Sequence, residues 1–519
     1  MRGAILLGMA LLLVHVAPAQ QQRRIEILSS RNTLVERVGS QQFYYLSGRV
    51  GLRQDDATMY CDSAVLVQPD NTFDAFGYVR IVQSDTTSVV GERLRYNGAE
   101  RIFNIEQNVV LSTPSSRLQT TSLEFNRSTQ VGRYKTRSTL FRNKLQITAD
   151  RGSYSVRADR VDMSGRVEAR DSAFELLTDT LRFFPKRNQY QFVGNSTLLK
   201  DSTTILCSKG TYDNERDELH LGAGATISEP GRLIDADSIS YSLKTQRGEL
   251  FGQALVADSA RGFVLESDYI YYCEEPNYVN AHSPIYYRQK LDSDTLYVRS
   301  DTLTIRSDTA GKRTVQTRYA TSFYTNGVQA VSPHFRFEEA RERVYLYPKP
   351  TIWSEQAQLD GDSTYLLLKE EHMDSLYVLG NVRVLNSTKD SVHFDQAVGK
   401  RLSGNFERDS LESVLLEGNA ESRLHTISDA GEVQGLNASA SSWISLLFLA
   451  GEVNQIIAGR DIQATYMPWK TTTESDRELP GCVSRFEMRP RKKDCRPPLP
   501  SDTETATNVV LTGASSSEE

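Results

Sequence analysis

Apolar and polar residues alternate at period two over short stretches along most of the chain, which is the mark of half-buried β-strands. Segments such as Asp62-Ser63-Ala64-Val65-Leu66, Glu92-Arg93-Leu94-Arg95-Tyr96, Asp179-Thr180-Leu181-Arg182-Phe183 and Asp237-Ser238-Ile239-Ser240-Tyr241 share one form. It has a small residue, then an apolar one, and an aromatic or apolar residue two places on. The links between them are rich in Asp, Ser, Asn and Gly, the residues that close turns. No stretch of helical length places apolar residues at i, i+3, i+4 and i+7, so the pattern predicts almost no helix.

A second phrase recurs with the strands. Glycine follows an apolar or small residue, and a β-branched or small residue stands two places later. It occurs at Leu46–Leu52, Phe76–Ile81, Met163–Val167, Val193–Leu198, Leu221-Gly222 and Phe251–Ala254. Gly48 and Gly77 are 29 residues apart, as are Gly165 and Gly194, and the gap between Gly77 and Gly165 is close to three such periods. Val109-Val110-Leu111 and Thr139-Leu140-Phe141 fill the two intervening slots with the glycine replaced. A period of this length means stacked units, none of which buries a core alone. Two strands per unit, each with one apolar face, predict two facing sheets with a greasy seam. The expected architecture is all-β and elongated, with open strand edges at its ends. Apolar positions beside the glycines are the candidates to line the seam: Val50, Leu52, Val79, Ile81, Val109, Leu111, Val167, Leu198 and Ile227.

The period divides the chain. Regular units run over residues 20–275, and a more irregular β region over 276–470, where Gly380 and Gly418 are 38 residues apart. Ser442–Phe448 reads as a closing strand. Residues 471–519 are proline-rich, basic at Arg485, Arg489, Arg491, Lys492, Lys493 and Arg496, and then polar; they lack apolar periodicity and read as a disordered tail with solvated charges. At the other end, Arg2, the apolar run Ala4–Val16 and Ala17-Pro18-Ala19 have the form of a cleaved signal peptide over residues 1–19. That run is too short to span a bilayer, so an exported, periplasmic protein is expected.

Lysine and arginine number 60 against 66 acids, a net charge of −6, which argues against a nucleic-acid partner. Apolar residues make up 39 % and mean hydropathy is −0.44, but 24 Tyr and 19 Phe are more aromatic content than a disordered chain carries. The five cysteines form no CxxC pair and the seven histidines no paired spacing, so no metal or other cofactor is expected. Cys61, Cys207 and Cys273 read as small buried residues on strands; Cys482 and Cys495 are close enough in sequence to close a small loop. Recurrent Asp-Ser and Asp-Thr pairs, among them Asp171-Ser172, Asp179-Thr180, Asp201-Ser202 and Asp237-Ser238, read as turns, since a catalytic site would occur once. With no nucleophile elbow, HExxH or P-loop in the chain, it is not expected to be an enzyme.

The Leu379–Val384 phrase with Gly380-Asn381-Val382, the Gly418-Asn419-Ala420 phrase and the 29-residue units resemble the repeats of the OstA-like family of lipopolysaccharide-transport proteins. That family includes the periplasmic bridge LptA and the N-terminal domain of LptD. Tyr345–Ser354, followed by Gln358–Asp362, resembles the large OstA-like proteins of Bacteroidetes-type bacteria, and the resemblance covers roughly residues 25–470. It implies a β-jelly roll, or β-taco, whose apolar interior carries acyl chains while sugars and phosphates stay outside. The implied ligand is lipopolysaccharide or a related glycolipid. The implied partners are other jelly-roll proteins of the transport system, joined by edge-strand pairing between an inner-membrane complex and an outer-membrane translocon, together with head-to-tail self-association. Nothing in the chain reads as a C-terminal membrane barrel. Two other classes fit stacked β-repeats: an adhesin-type stalk with a closed core, and an exported polysaccharide-active β-solenoid enzyme.

Overall fold

The computed structural model describes residues 24–497 apart from 84–86, 276, 292–293, 370–371, 389–391, 408–409, 429–430 and 450–451; the signal-like segment 1–19 and the polar end 498–519 lie outside the described residues. The fold is all-β, a stack of antiparallel hairpins folded over on itself as a jelly roll or β-taco. Helix among the described residues is confined to Glu474–Arg477 and a few short 3-10 turns. By packing, the chain divides into two compact units, one up to Lys186 and one from Arg187, rather than at residue 275, where the sequence period loosens.

A corner in each strand makes the fold. Strand Thr72–Gln83 buries Phe73 and Ala75, then Val79 and Ile81, and between the two pairs it skips Gly77. The skip marks a β-bulge at Gly77-Tyr78, where pairing with Thr87–Asn97 slips by one residue. Both residues have positive φ, +74° and +44°. An extra residue turns the strand and returns its side chains to the same interior. The same pair of left-handed residues occurs at Gly48-Arg49, Gly165-Arg166, Gly252-Gln253, Gly380-Asn381 and Gly418-Asn419, and without glycine at Gln107-Asn108 and Tyr319-Ala320. The phrase read from sequence is therefore the fold line. In the Thr139 slot the strand is instead interrupted, between Val131–Tyr134 and Ser138–Arg142.

The aspartates that precede the apolar residues have a related role. A Cβ on Gly77 would lie 2.4 Å from Asp62 Oδ2, and one on Gly252 equally close to Asp237 Oδ2. Asp237 and Asp179 thus stand mid-strand, at or near the fold line, and not in hairpin turns as expected from sequence. Asp171 and Asp201 do lie in the turns.

The polar segment after residue 470 also differs from its sequence reading. As far as residue 497 it is a strap across the outer face of the second unit. The main chain of Leu479 donates to Gln396 at 2.8 Å, and Gln358 Nε2 donates to the Val483 carbonyl at 2.9 Å. Arg485 pairs with buried Asp360 at 2.7 Å, Arg489 donates to Gln329 at 2.6 Å, and Arg496 reaches the Tyr297 hydroxyl at 3.1 Å. Of the basic residues that read as a solvated run, Arg485, Arg489 and Arg496 bond buried groups of the sheet, while Arg491, Lys492 and Lys493 stay exposed, Arg491 pairing with Asp494 of the same segment. All five cysteines are free thiols; Cys61, Cys207, Cys273 and Cys495 are buried.

Candidate functional site: an apolar interior between two lips

Each folded strand contributes to two walls. Register fixes one row as Leu52–Met59–Ile81–Val89–Leu111–Leu118. The facing row is Leu46–Ala64–Ala75–Leu94–Ile105–Leu123. Val50, Leu52, Val79, Ile81, Val109, Leu111 and Val167 lie on the first wall of the first unit, and Leu198 and Ile227 on the corresponding wall of the second; all nine are 0–7 % exposed. The facing wall adds residues that the positions after the glycine do not include. Its signal was present, since the positions two and four places before the glycine carry the same apolar alternation.

Away from the corner, the walls end in two lips of hairpin turns, and in each unit polar side chains tie one lip to the other. In the first unit the Tyr96 hydroxyl donates to Gln54 Oε1. Arg127 donates to the Gln54 carbonyl at 3.1 Å and to Asp56 at 3.0 Å, and Arg101 pairs with Asp55 at 3.1 Å. In the second unit Lys200 meets Asp217, and Tyr212 donates to the same carboxylate at 2.7 Å. Next along the stack, Arg232 from one lip pairs with Glu274 of the other and with Glu229, and donates to the Tyr272 hydroxyl at 2.6 Å. Arg261 pairs with Asp258 at 2.7 Å and approaches Glu274 at 3.7 Å; Arg313 donates to Gln289 across the mouth at 3.4 Å. These latches terminate the same inward-facing rows whose inner positions are apolar. A cavity of about 30 Å³ lies under the first latch, lined by Ile25, Leu52, Met59, Ile81, Tyr96 and Arg127, with room for about one water.

The interior loosens toward the end of the second unit. Val378, Val382, Leu402, Leu416, Ala420 and Ile444 stay buried, but inward neighbours Leu376, Val384, Ala397, Val414 and Leu446 are only partly so. Beyond them Ile456, opposite Leu446, is 54 % exposed. Each unit also has an end strand that carries apolar side chains into solvent. Leu34 and Val35 do so on Asn32–Val38, and Ile456 and Ile457 on Glu452–Gly459.

Residues 22–179 match the OstA-like protein family. This OstA-like segment contains the corners at Gly48, Gly77 and Gly165 and the first latch. The Gly380-Asn381 and Gly418-Asn419 phrases that prompted the resemblance lie outside it, yet form the same left-handed corner. No curated protein matches the chain. Among solved structures, LptH, the LptA homologous periplasmic component of the conserved lipopolysaccharide transport device from Pseudomonas aeruginosa, aligns at 12 % identity, covering 26 % of this chain and 81 % of that one, with a TM-score of 0.15. No helix among the described residues is long and apolar enough to cross a membrane.

Proposed function

We propose that this protein carries lipopolysaccharide or a related glycolipid through the periplasm, holding its acyl chains between the two walls without covalent chemistry. One observation carries the reading: apolar side chains face one another rung after rung, between lips that are polar. An acyl chain crossing water costs about 0.8 kcal/mol per CH₂ exposed, and a continuous apolar interior removes that barrier. The OstA-like match at the front of the chain supports it. Passage requires the lips to part, so each latch exchanges its cross-mouth bonds for bonds to the headgroup or water. Energy comes from lipid loaded behind, driven by a partner, and the exposed end strands offer main-chain edges for pairing with other jelly-roll proteins or a second copy. The nine first-wall residues are the proposed acyl contacts.

The tight packing of the same interior favours a second reading, a closed structural stalk. Photo-crosslinking in living cells separates the two. A crosslinking amino acid is placed at half-buried inward positions 376, 414 and 446, and at outward controls 415 and 445. Glycolipid adducts at the inward set and none at the controls are expected. Absence of adducts at all five positions, in cells making lipopolysaccharide, would leave the stalk.

A further inference from the structure

The outer face of the second unit carries a cluster that neither the interior nor the strap uses. Tyr345, Tyr365 and Tyr377 stand opposite one another on three adjacent strands. Tyr365 and Tyr377 stack with centroids 4.7 Å apart and planes at 15°, and Tyr345 follows at 6.4 Å. The row then stops, because the register partner beyond Tyr377 is Ser403. A small residue there leaves the far side of the Tyr377 ring uncovered by a further aromatic, and the Arg401 guanidinium lies 5.7 Å from its centroid. Arg343, Arg401, Leu367 and the three tyrosines line an open depression of about 330 Å³ on the sheet face.

Glu338, across the register from Arg343, is held by Arg336 and by Arg341 at 3.1 Å. Arg343 and Arg401 have no carboxylate within ion-pair distance among the described residues, although Glu417 stands across the register from Arg401. Guanidinium groups offer forked donors that match phosphate or carboxylate oxygens. Phenol hydroxyls donate and accept, as sugar hydroxyls require, and an aromatic edge or face suits the apolar side of a pyranose. We propose that this face binds an anionic saccharide, a sugar bearing phosphate or carboxylate, whether free or as the headgroup of a glycolipid. The site lies outside the apolar interior and does not depend on transport.

Titration calorimetry on the mature chain tests it with glucose 6-phosphate, glucose and inorganic phosphate as probes. Glucose 6-phosphate is expected to bind at least about tenfold more tightly than either part alone, since both halves of the site then contribute. Arg401→Gln is expected to weaken glucose 6-phosphate about tenfold and leave glucose unchanged. Tyr365→Phe, which keeps the stack, tests the hydroxyl and should weaken both sugars while the far-UV spectrum stays constant. Inorganic phosphate binding as tightly as the sugar phosphate, or no binding of any probe at millimolar concentration, overturns the proposal. Displacement of glucose 6-phosphate by lipopolysaccharide and equally by its delipidated oligosaccharide supports it. Displacement by the lipidated form alone assigns the effect to the interior and also overturns it. A negative crosslinking result at inward positions leaves this binding measurable, so the two readings fail separately.

Discussion

At the scale of single residues, the corner is the most demanding position in the repeat. Gly77 needs both a left-handed φ of +74° and the space that Asp62 leaves. An alanine there takes on backbone strain and a Cβ 2.4 Å from a carboxylate oxygen. Gly77→Ala is therefore expected to destabilise the first unit by about 1–3 kcal/mol, measured by urea unfolding. Adding Asp62→Ala should recover only the part of the clash due to the carboxylate, since the Asp62 Cβ stays 2.9 Å away, and none of the backbone part, leaving a residual loss. Full recovery by the double variant would show that φ carries no cost at this site. Tyr78 tolerates the next left-handed position because its side chain points to solvent, at 87 % exposure.

At the scale of elements, the strap shows how a segment without a periodic pattern becomes ordered. Asp360 is 5 % exposed and Gln358 fully buried, and both are satisfied by the strap: Asp360 by Arg485, Gln358 by the main chain of Val483 and Arg485. Trp353, fully buried, stands between Gln329 and Gln358 in the register, both of which bond the strap. A chain ending at Thr471 would expose that tryptophan and leave the Asp360 carboxylate without its cation. Its second unit is expected to lose about 3 kcal/mol or more, with a red-shifted tryptophan emission. Emission and unfolding midpoint unchanged from the full chain would show the strap to be dispensable. Periodicity could not reveal this element, because it forms no rung. Its signals were isolated arginines, whose partners are acids and amides more than 100 residues away.

At the scale of the whole molecule, the latches decide how the interior behaves. Glu274 is held below the ordinary carboxylate range. Burial pushes it up, but the Tyr272 hydroxyl hydrogen bond and the charges of Arg232 and Arg261 outweigh that. A depressed carboxylate contributes stability above its unfolded value, near 4.3, which is lost as pH falls through the folded value. Acidification below about pH 4 is thus expected to weaken this latch. Glu274→Gln should remove on the order of 1 kcal/mol of the acid-dependent part of unfolding, a modest value because the group is 26 % exposed. Equal acid sensitivity in the two proteins would show that Glu274 does not set it. The sequence by itself determined the all-β class, the repeat and the inward wall after each glycine, because strand periodicity and left-handed corners are local properties. Which residues meet across the mouth, the loosening of the interior at Leu376, Val414 and Leu446, and the place of the strap were decided by tertiary structure. Those contacts join residues from different rungs, and their partners are fixed by the stacking register, which no local pattern encodes.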